Sequence, residues 1–231
     1  MGVQMSIDET AIVATEGQTV VEAAAEHGVY IPTLCSMPHQ DSVGTCRVCS
    51  VKINGHVMAA CTVRVRPGMV VEVDSPELAD MRRAVLELLF VEGNHNCPSC
   101  EKSGRCQLQA VAYESGMTVA RFPYRYPVRE VDHTSSTIWL ERDRCILCQR
   151  CVELICDDAT GQRVFSISRR GPQARIEIDT ALADAMSEEA VERAGDICPV
   201  GSILPKGVGH DTPIGDRRFE VESVRKWSMT S

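Results

Sequence analysis

The sequence predicts an α+β chain built as a string of three small modules, and three observations carry that expectation. Strand-like alternation broken by turn residues lies near the start and again in the last third, with a helical repeat between them. Eleven of the twelve cysteines fall into three runs, one for each module. Aromatic residues make up only 4% of the chain, too few for a large aromatic core, so bound metal is the natural further source of folding free energy. The modules are expected at residues 1–75, 76–131 and 132–204, followed by a tail over 205–231.

In the first module, residues 5–7 and 11–15 read as short strands joined at Asp8-Glu9, with Gly17 after them. Thr19 to Glu22 has the form of a capping box, in which the threonine hydroxyl and the glutamate each satisfy a free amide. Gly28 then closes a helix over residues 20–27, at the position that favours a left-handed residue. A loop carries Cys35, Gly44, Cys46 and Cys49, with glycine where the backbone must wrap closely. Residues 47–53 and 56–60 alternate about Asn54-Gly55, a hairpin signal that returns Cys61 to that loop.

The middle module opens with a helix start at Ser75-Pro76. Leu78, Met81, Val85, Leu88 and Leu89 repeat at helical spacing up to Gly93 and read as core. His95, Cys97, Cys100 and Cys106 follow, three thiols and an imidazole with Gly104 for tight wrapping, enough ligands for a 4Fe-4S cube. Residues 121–127 read as an extended linker, because each proline restricts itself and its predecessor. Their alternating arginines and aromatics have the residue types of a single-strand binder, but an isolated stretch in a chain of net charge −8 predicts no nucleic-acid partner.

The last module carries Cys145, Cys148 and Cys151 at two-residue spacing, with Cys198-Pro199 far downstream. A helix, a hairpin about Gly171-Pro172 and a second helix near 187–194 are expected between them. Cys156 reads as a spare thiol. The tail, with Gly207, Gly209, Pro213 and Gly215, shows no helical period and little apolar surface. It is expected either to lie on a neighbouring subunit or to be disordered.

A disulfide framework belongs to short secreted chains, and the opening MGVQMSIDET lacks the basic stretch and apolar run of a signal peptide, so a cytoplasmic protein is expected. Zinc is the stronger rival, yet zinc sites pair two Cys-x-x-Cys knuckles. The triplet at Cys145 has the spacing of a bacterial ferredoxin. No apolar run approaches the length of a membrane span, so no membrane association is expected. Without a strand-linked GxGxxG or a Walker-type loop, neither nicotinamide nor flavin has an evident site.

With these residues in view, the first module resembles the plant-type ferredoxin (β-grasp) fold, in the long-loop form found at the amino terminus of complex I and of iron-only hydrogenases. That resemblance implies one 2Fe-2S cluster on Cys35, Cys46, Cys49 and Cys61. The middle module is similar to the histidine-ligated 4Fe-4S region of the same proteins, implying ligation by His95, Cys97, Cys100 and Cys106. Those relatives place three residues between histidine and cysteine, whereas only Asn96 stands there in this chain. The last module resembles a bacterial ferredoxin whose second cluster is lost, because Glu188, Val191 and Ala194 occupy its ligand positions. One 4Fe-4S cluster on Cys145, Cys148, Cys151 and Cys198 is implied.

Nearly the full length, including GTCRVCSVKI, GNHNCPSCEKSGRCQLQ, RFPYRYPVR, ERDRCILCQRCVE and ICPVGSIL, is similar to the small iron-sulfur (gamma) diaphorase subunits of cytosolic NAD-reducing nickel-iron hydrogenases. It is similar more distantly to the first part of the complex I large iron-sulfur subunit. The resemblance implies a non-catalytic electron-transfer subunit of a hydrogen:NAD+ oxidoreductase. Single electrons would pass between the small and large nickel-iron hydrogenase subunits and a diaphorase subunit that binds flavin and NAD(H). The same module in an NAD-dependent formate dehydrogenase or a complex I-like NADH dehydrogenase is the alternative. A catalytic iron-only hydrogenase would need a further cysteine-bearing domain, and a zinc scaffold would be colourless.

Overall fold

The computed structural model describes residues 2–38 and 40–230. The chain forms two compact units, one of residues 1–88, 111–121 and 222–231 and the other of residues 89–110 and 122–221.

The first unit is built on a five-stranded sheet in the order β2-β1-β5-β3-β4. Strands β1 (Gly2–Ile7) and β2 (Thr10–Thr15) pair antiparallel across Asp8 and Glu9, both in the left-handed region at φ 44° and 67°. Helix α1 (Val20–Glu26) starts with the expected box: the Thr19 hydroxyl accepts from the Glu22 amide, and the Glu22 carboxylate accepts from the Thr19 amide at 2.7 Å. Thr19→Ala is therefore expected to cost about 1 kcal/mol in denaturant unfolding of the metal-loaded chain, with no change in bound metal. Strands β3 (Ser50–Ile53) and β4 (His56–Ala59) meet at Asn54-Gly55, at φ 49° and 84°, the pair of positive angles that a two-residue hairpin turn requires. Strand β5 (Val70–Glu72) runs parallel to β1 and antiparallel to β3. Its three residues are too few to show alternation, so the sequence reading has no strand there.

Helix α2 (Pro76–Val91) begins where Ser75-Pro76 places it, but its buried face differs from the expected stripe. Leu78 and Leu86 are buried, whereas Leu88 is 41% exposed. The fully buried Glu87 carboxylate takes a place in that face because Arg83 and Arg121 bind it at 3.0 and 2.8 Å. A charged residue paired on both sides is tolerated where an unpaired one is not, and hydropathy alone cannot register that pairing. Helix α3 (Gln107–Glu114) follows the second cysteine run. Residues 122–130 carry no regular structure, as a linker should, but Tyr126 adopts φ 46° and stacks on Tyr124 at 5.5 Å instead of being extended.

In the second unit, β6 (Val131–Asp132), β7 (Ile138–Glu141) and a late strand form a small antiparallel sheet. Helix α4 (Arg150–Leu154) continues from the cysteine triplet. Strands β8 (Phe165–Ser168) and β9 (Arg175–Ile178) make the expected hairpin about Gly171-Pro172. Asp179 caps α5 (Thr180–Ala185), and Ser187 caps α6 (Glu188–Ile197), in each case through a side-chain oxygen accepting a backbone amide. Strand β10 (Ile203–Pro205) closes the sheet against β7. The buried side chains of Ile138, Leu140, Ile155, Phe165 and Ile203 form the core.

The tail corrects the sequence reading. It contains α7 (Arg218–Val221) and α8 (Val224–Thr230), and it packs on its own chain. Within the second unit the Phe219 amide donates to the Gly104 carbonyl at 2.8 Å and Arg217 donates to the Ser103 carbonyl at 3.2 Å. Within the first, Val224 is buried, Arg225 pairs with Glu114, and its guanidinium lies over the Tyr30 ring at 5.3 Å. Charged residues anchoring to distant partners explain why a tail poor in apolar period still orders.

Candidate metal centres

The first cysteine group lies between α1 and the β3-β4 hairpin. The Ala60 amide donates to the Cys49 carbonyl at 3.1 Å, and this bond draws Cys61 back to the loop of Cys35, Cys46 and Cys49. All four side chains are buried. Gly44 sits at φ 67°, with the Thr62 methyl 2.7 Å from where a Cβ would stand, so only glycine fits this wrap. The Ser42 hydroxyl donates to Cys61 Sγ at 3.1 Å and lies 3.8 Å from Cys35 Sγ, a polar contact to sulfur that the sequence reading missed.

The four sulfurs contact one another in a chain. Hydrogen bonds from Cys46 and then Cys61 hold Cys35 well below the ordinary thiol range, and one from Cys61 lowers Cys49. Those bonds, with burial, push Cys46 and Cys61 far up. Four buried thiols thus share protons because they cannot all ionise unaided. A cationic core that binds thiolates would relieve that conflict.

The second group occupies the second unit. His95, Cys97, Cys100 and Cys106 line one small cavity together with Phe90 and Arg144. Cys97 opens a short 3-10 turn, Cys97–Ser99, and Cys106 immediately precedes α3. Burial pushes the Cys106 thiol up to about 12, eased by the Gln109 amide, which donates to its Sγ at 3.4 Å. Burial, followed by the charge of Arg144, pulls His95 down to about 4, so the ring is neutral at pH 7. A backbone hydrogen bond to Leu89 supports the ring, while its buried Nε2 has no partner. A neutral imidazole tied at one nitrogen and open at the other has the form of a metal ligand.

Gly93 accounts for the shortened spacing. It stands three intervening residues before Cys97, and His95 Nε2 lies 2.4 Å from where a Gly93 Cβ would be. The ring of His95 thus reaches back into the space beside residue 93, which glycine leaves open.

The third group gathers Cys145 and Cys148 from the loop before α4, Cys151 from the first turn of α4, and Cys198 from the C-cap of α6. Leu147 and Gln149 take φ of 53° and 63°, winding the triplet tightly enough for the Leu147 amide to reach Cys145 Sγ at 3.4 Å. Burial raises all three triplet thiols, Cys148 to about 12, and each is raised further by the charge of Cys198. Cys156 follows α4, outside the triplet spacing. It forms an isolated backbone bridge with Arg163.

The last two groups share a wall. The Pro199 carbonyl accepts from Leu108 at 3.2 Å and lies 3.6 Å from Cys106 Sγ, and Cys100 Sγ lies 2.6 Å from where a Gly201 Cβ would stand. Arg144, next to Cys145, lines the cavity of the middle group, and Lys102 of the middle loop is buried against α6. Neither cation was singled out from the sequence, where each is one charged residue beside a cysteine.

Three family descriptions match the chain in order: a 2Fe-2S iron-sulfur cluster binding domain over residues 1–76, the NADH-ubiquinone oxidoreductase-G iron-sulfur binding region over 82–121, and the NADH-quinone oxidoreductase subunit 3 ferredoxin-like domain over 135–204. The chain is 33% identical over 206 residues to an NADH-quinone oxidoreductase subunit of Streptomyces coelicolor, with 87% of this chain and 24% of that protein covered. A solved structure of an NAD+-reducing NiFe hydrogenase in the H2-reduced state contains a chain that superposes with a TM-score of 0.86 at 44% identity, covering 95% of this chain and 94% of that one. The gamma subunit of the NAD-reducing hydrogenase HoxS of Cupriavidus necator is 64% identical over 225 residues, 97% of this chain and 96% of its own length. An α+β chain with three cysteine groups, matched over nearly its whole length at that identity, belongs to the family of NAD-reducing hydrogenase gamma subunits.

Proposed function

We propose that the chain is the electron-relay subunit of a cytoplasmic NAD-reducing hydrogenase. It passes single electrons between a nickel-iron module of small and large subunits and a diaphorase subunit that binds flavin and NAD(H). Cys35, Cys46, Cys49 and Cys61 hold a 2Fe-2S cluster. His95, Cys97, Cys100 and Cys106 hold one 4Fe-4S cluster, and Cys145, Cys148, Cys151 and Cys198 hold another. The observation that carries this reading is the buried, unpartnered Nε2 of neutral His95, whose side chain lines one cavity with three thiols, because such an imidazole has no other use for its lone pair.

When bound, the clusters supply one-electron carriers at potentials set by ligand charge and burial. The protein's own part is to keep the thiols dry, to donate hydrogen bonds to sulfur from Ser42 and the Leu147 and Gln109 amides, and to place the last two groups against one backbone segment. No helix among the described residues is long and apolar enough to cross a membrane.

Anaerobic preparation of the assembled complex should show about ten iron and ten acid-labile sulfide per copy of this chain. A flavoprotein and a hydrogenase pair should copurify, and the chain alone should not oxidise NADH. Stoichiometric zinc with little sulfide would end the cluster assignment. Recovery of only a quinone-reducing membrane complex would move the same module to the complex I-like alternative.

A further inference from the structure

We propose that the Lys102 ammonium is a fixed positive charge that raises the reduction potentials of both the middle and the C-terminal cluster from a position between their cradles. The inference rests on the cluster assignment above and assigns a role to a residue that is not a ligand.

Lys102 lies two residues beyond Cys100, in the loop that leads to Cys106, and its side chain is only 7% exposed. Its Nζ donates to the Gly195 carbonyl at 2.7 Å, in the last turn of α6, the helix whose C-cap is Cys198. Carbonyls at that end of a helix carry partial negative charge, which favours a cation. The side chain therefore starts in one cluster's loop and ends at the helix that presents the other cluster's cysteine. Packing between the two is close, since a Gly201 Cβ would stand 2.6 Å from Cys100 Sγ and 3.2 Å from Lys102 Cβ.

A buried cation is costly unless it is compensated. The carboxylate nearest to it is that of Asp196, 3.6 Å away, half-exposed and also bound by Arg218 at 3.1 Å. One screened carboxylate shared by two cations leaves Lys102 incompletely neutralised. Reduction adds negative charge to a cluster, and a fixed cation close by in a low-dielectric interior stabilises the reduced form. A side chain needed only to fill space would be apolar at this position.

The test is redox titration of the assembled complex followed by electron paramagnetic resonance, with iron content measured alongside. Lys102→Met should shift both 4Fe-4S midpoints downward and leave the 2Fe-2S midpoint unmoved. Lys102→Arg, which keeps the charge, should restore values near those of the unmutated protein. Asp196→Asn removes the partly compensating carboxylate and should shift the same two midpoints upward. Unmoved midpoints in Lys102→Met at full iron content would overturn the proposal and leave the lysine a fastening for α6. If Lys102→Met fails to retain iron, Asp196→Asn decides: an upward shift supports the proposal and no shift overturns it. Absence of 4Fe-4S signals from the unmutated complex would instead overturn the cluster assignment, an outcome visible before any variant is made.

Discussion

Cys198→Ser is expected to remove the C-terminal 4Fe-4S signal and to cut hydrogen-driven NAD reduction by more than about a hundredfold, since losing even an outer partner of a metal ligand costs roughly 10- to 100-fold. Cys198 sits at the C-cap of α6, and its amide donates to the Ala194 carbonyl at 3.3 Å. That backbone bond survives the substitution, so the defect should be confined to the side chain. A serine oxygen is a harder ligand than thiolate and binds iron less well. The remaining thiols, raised by burial, are protonated at neutral pH, so iron must displace their protons, and one missing ligand makes that exchange harder still. Cys156→Ser should keep all signals, because Cys156 lies outside the triplet spacing and its bridge to Arg163 is made by the backbone, which the substitution leaves in place. Iron analysis and low-temperature spectra of the two variants side by side decide the matter. Loss of a cluster in Cys156→Ser but not in Cys198→Ser would reverse the assignment.

The second large effect is expected at His95. His95→Ala should impair the middle cluster, because its Nε2 is buried without a partner and its side chain lines the same cavity as the three thiols. His95→Cys should retain part of the signal at a lower potential, since a thiolate adds the negative charge that neutral imidazole lacks. Gly93→Ala tests the same ring from the other side. A methyl group there would lie 2.4 Å from Nε2, and Asp143 O blocks the retreat at 3.1 Å, so the ring must leave its position. Titration of the three variants should therefore perturb the middle cluster and spare the first. Unchanged signal and potential in all three would show that the ring does not bind iron.

Much of this site was legible in the chain itself. The capping box at Thr19 and the turns at Asp8-Glu9 and Asn54-Gly55 depend on residues within one turn of each other, so the residue types alone announce them. The cysteine spacings carry their meaning in the same way, because a metal cluster needs several ligands from one short loop. The stripe on α2 was only half right, since the fully buried Glu87 displaces Leu88 to the surface by pairing with Arg121, far along the chain. The tail was misread for the same reason: Arg217, Phe219 and Arg225 order it through Ser103, Gly104, Glu114 and Tyr30, none of them close in sequence.

By itself, then, the sequence determined the α+β class and the three cysteine runs, both encoded in local spacing. Only the tertiary structure decided that the His95 ring fills the space beside Gly93, that Pro199 and Gly201 press on the sulfurs of the middle group, and that Lys102 is buried against α6. Most of those contacts join segments about a hundred residues apart, and whether a cation ends beside a thiol or in water is a question of packing, on which spacing along the chain is silent.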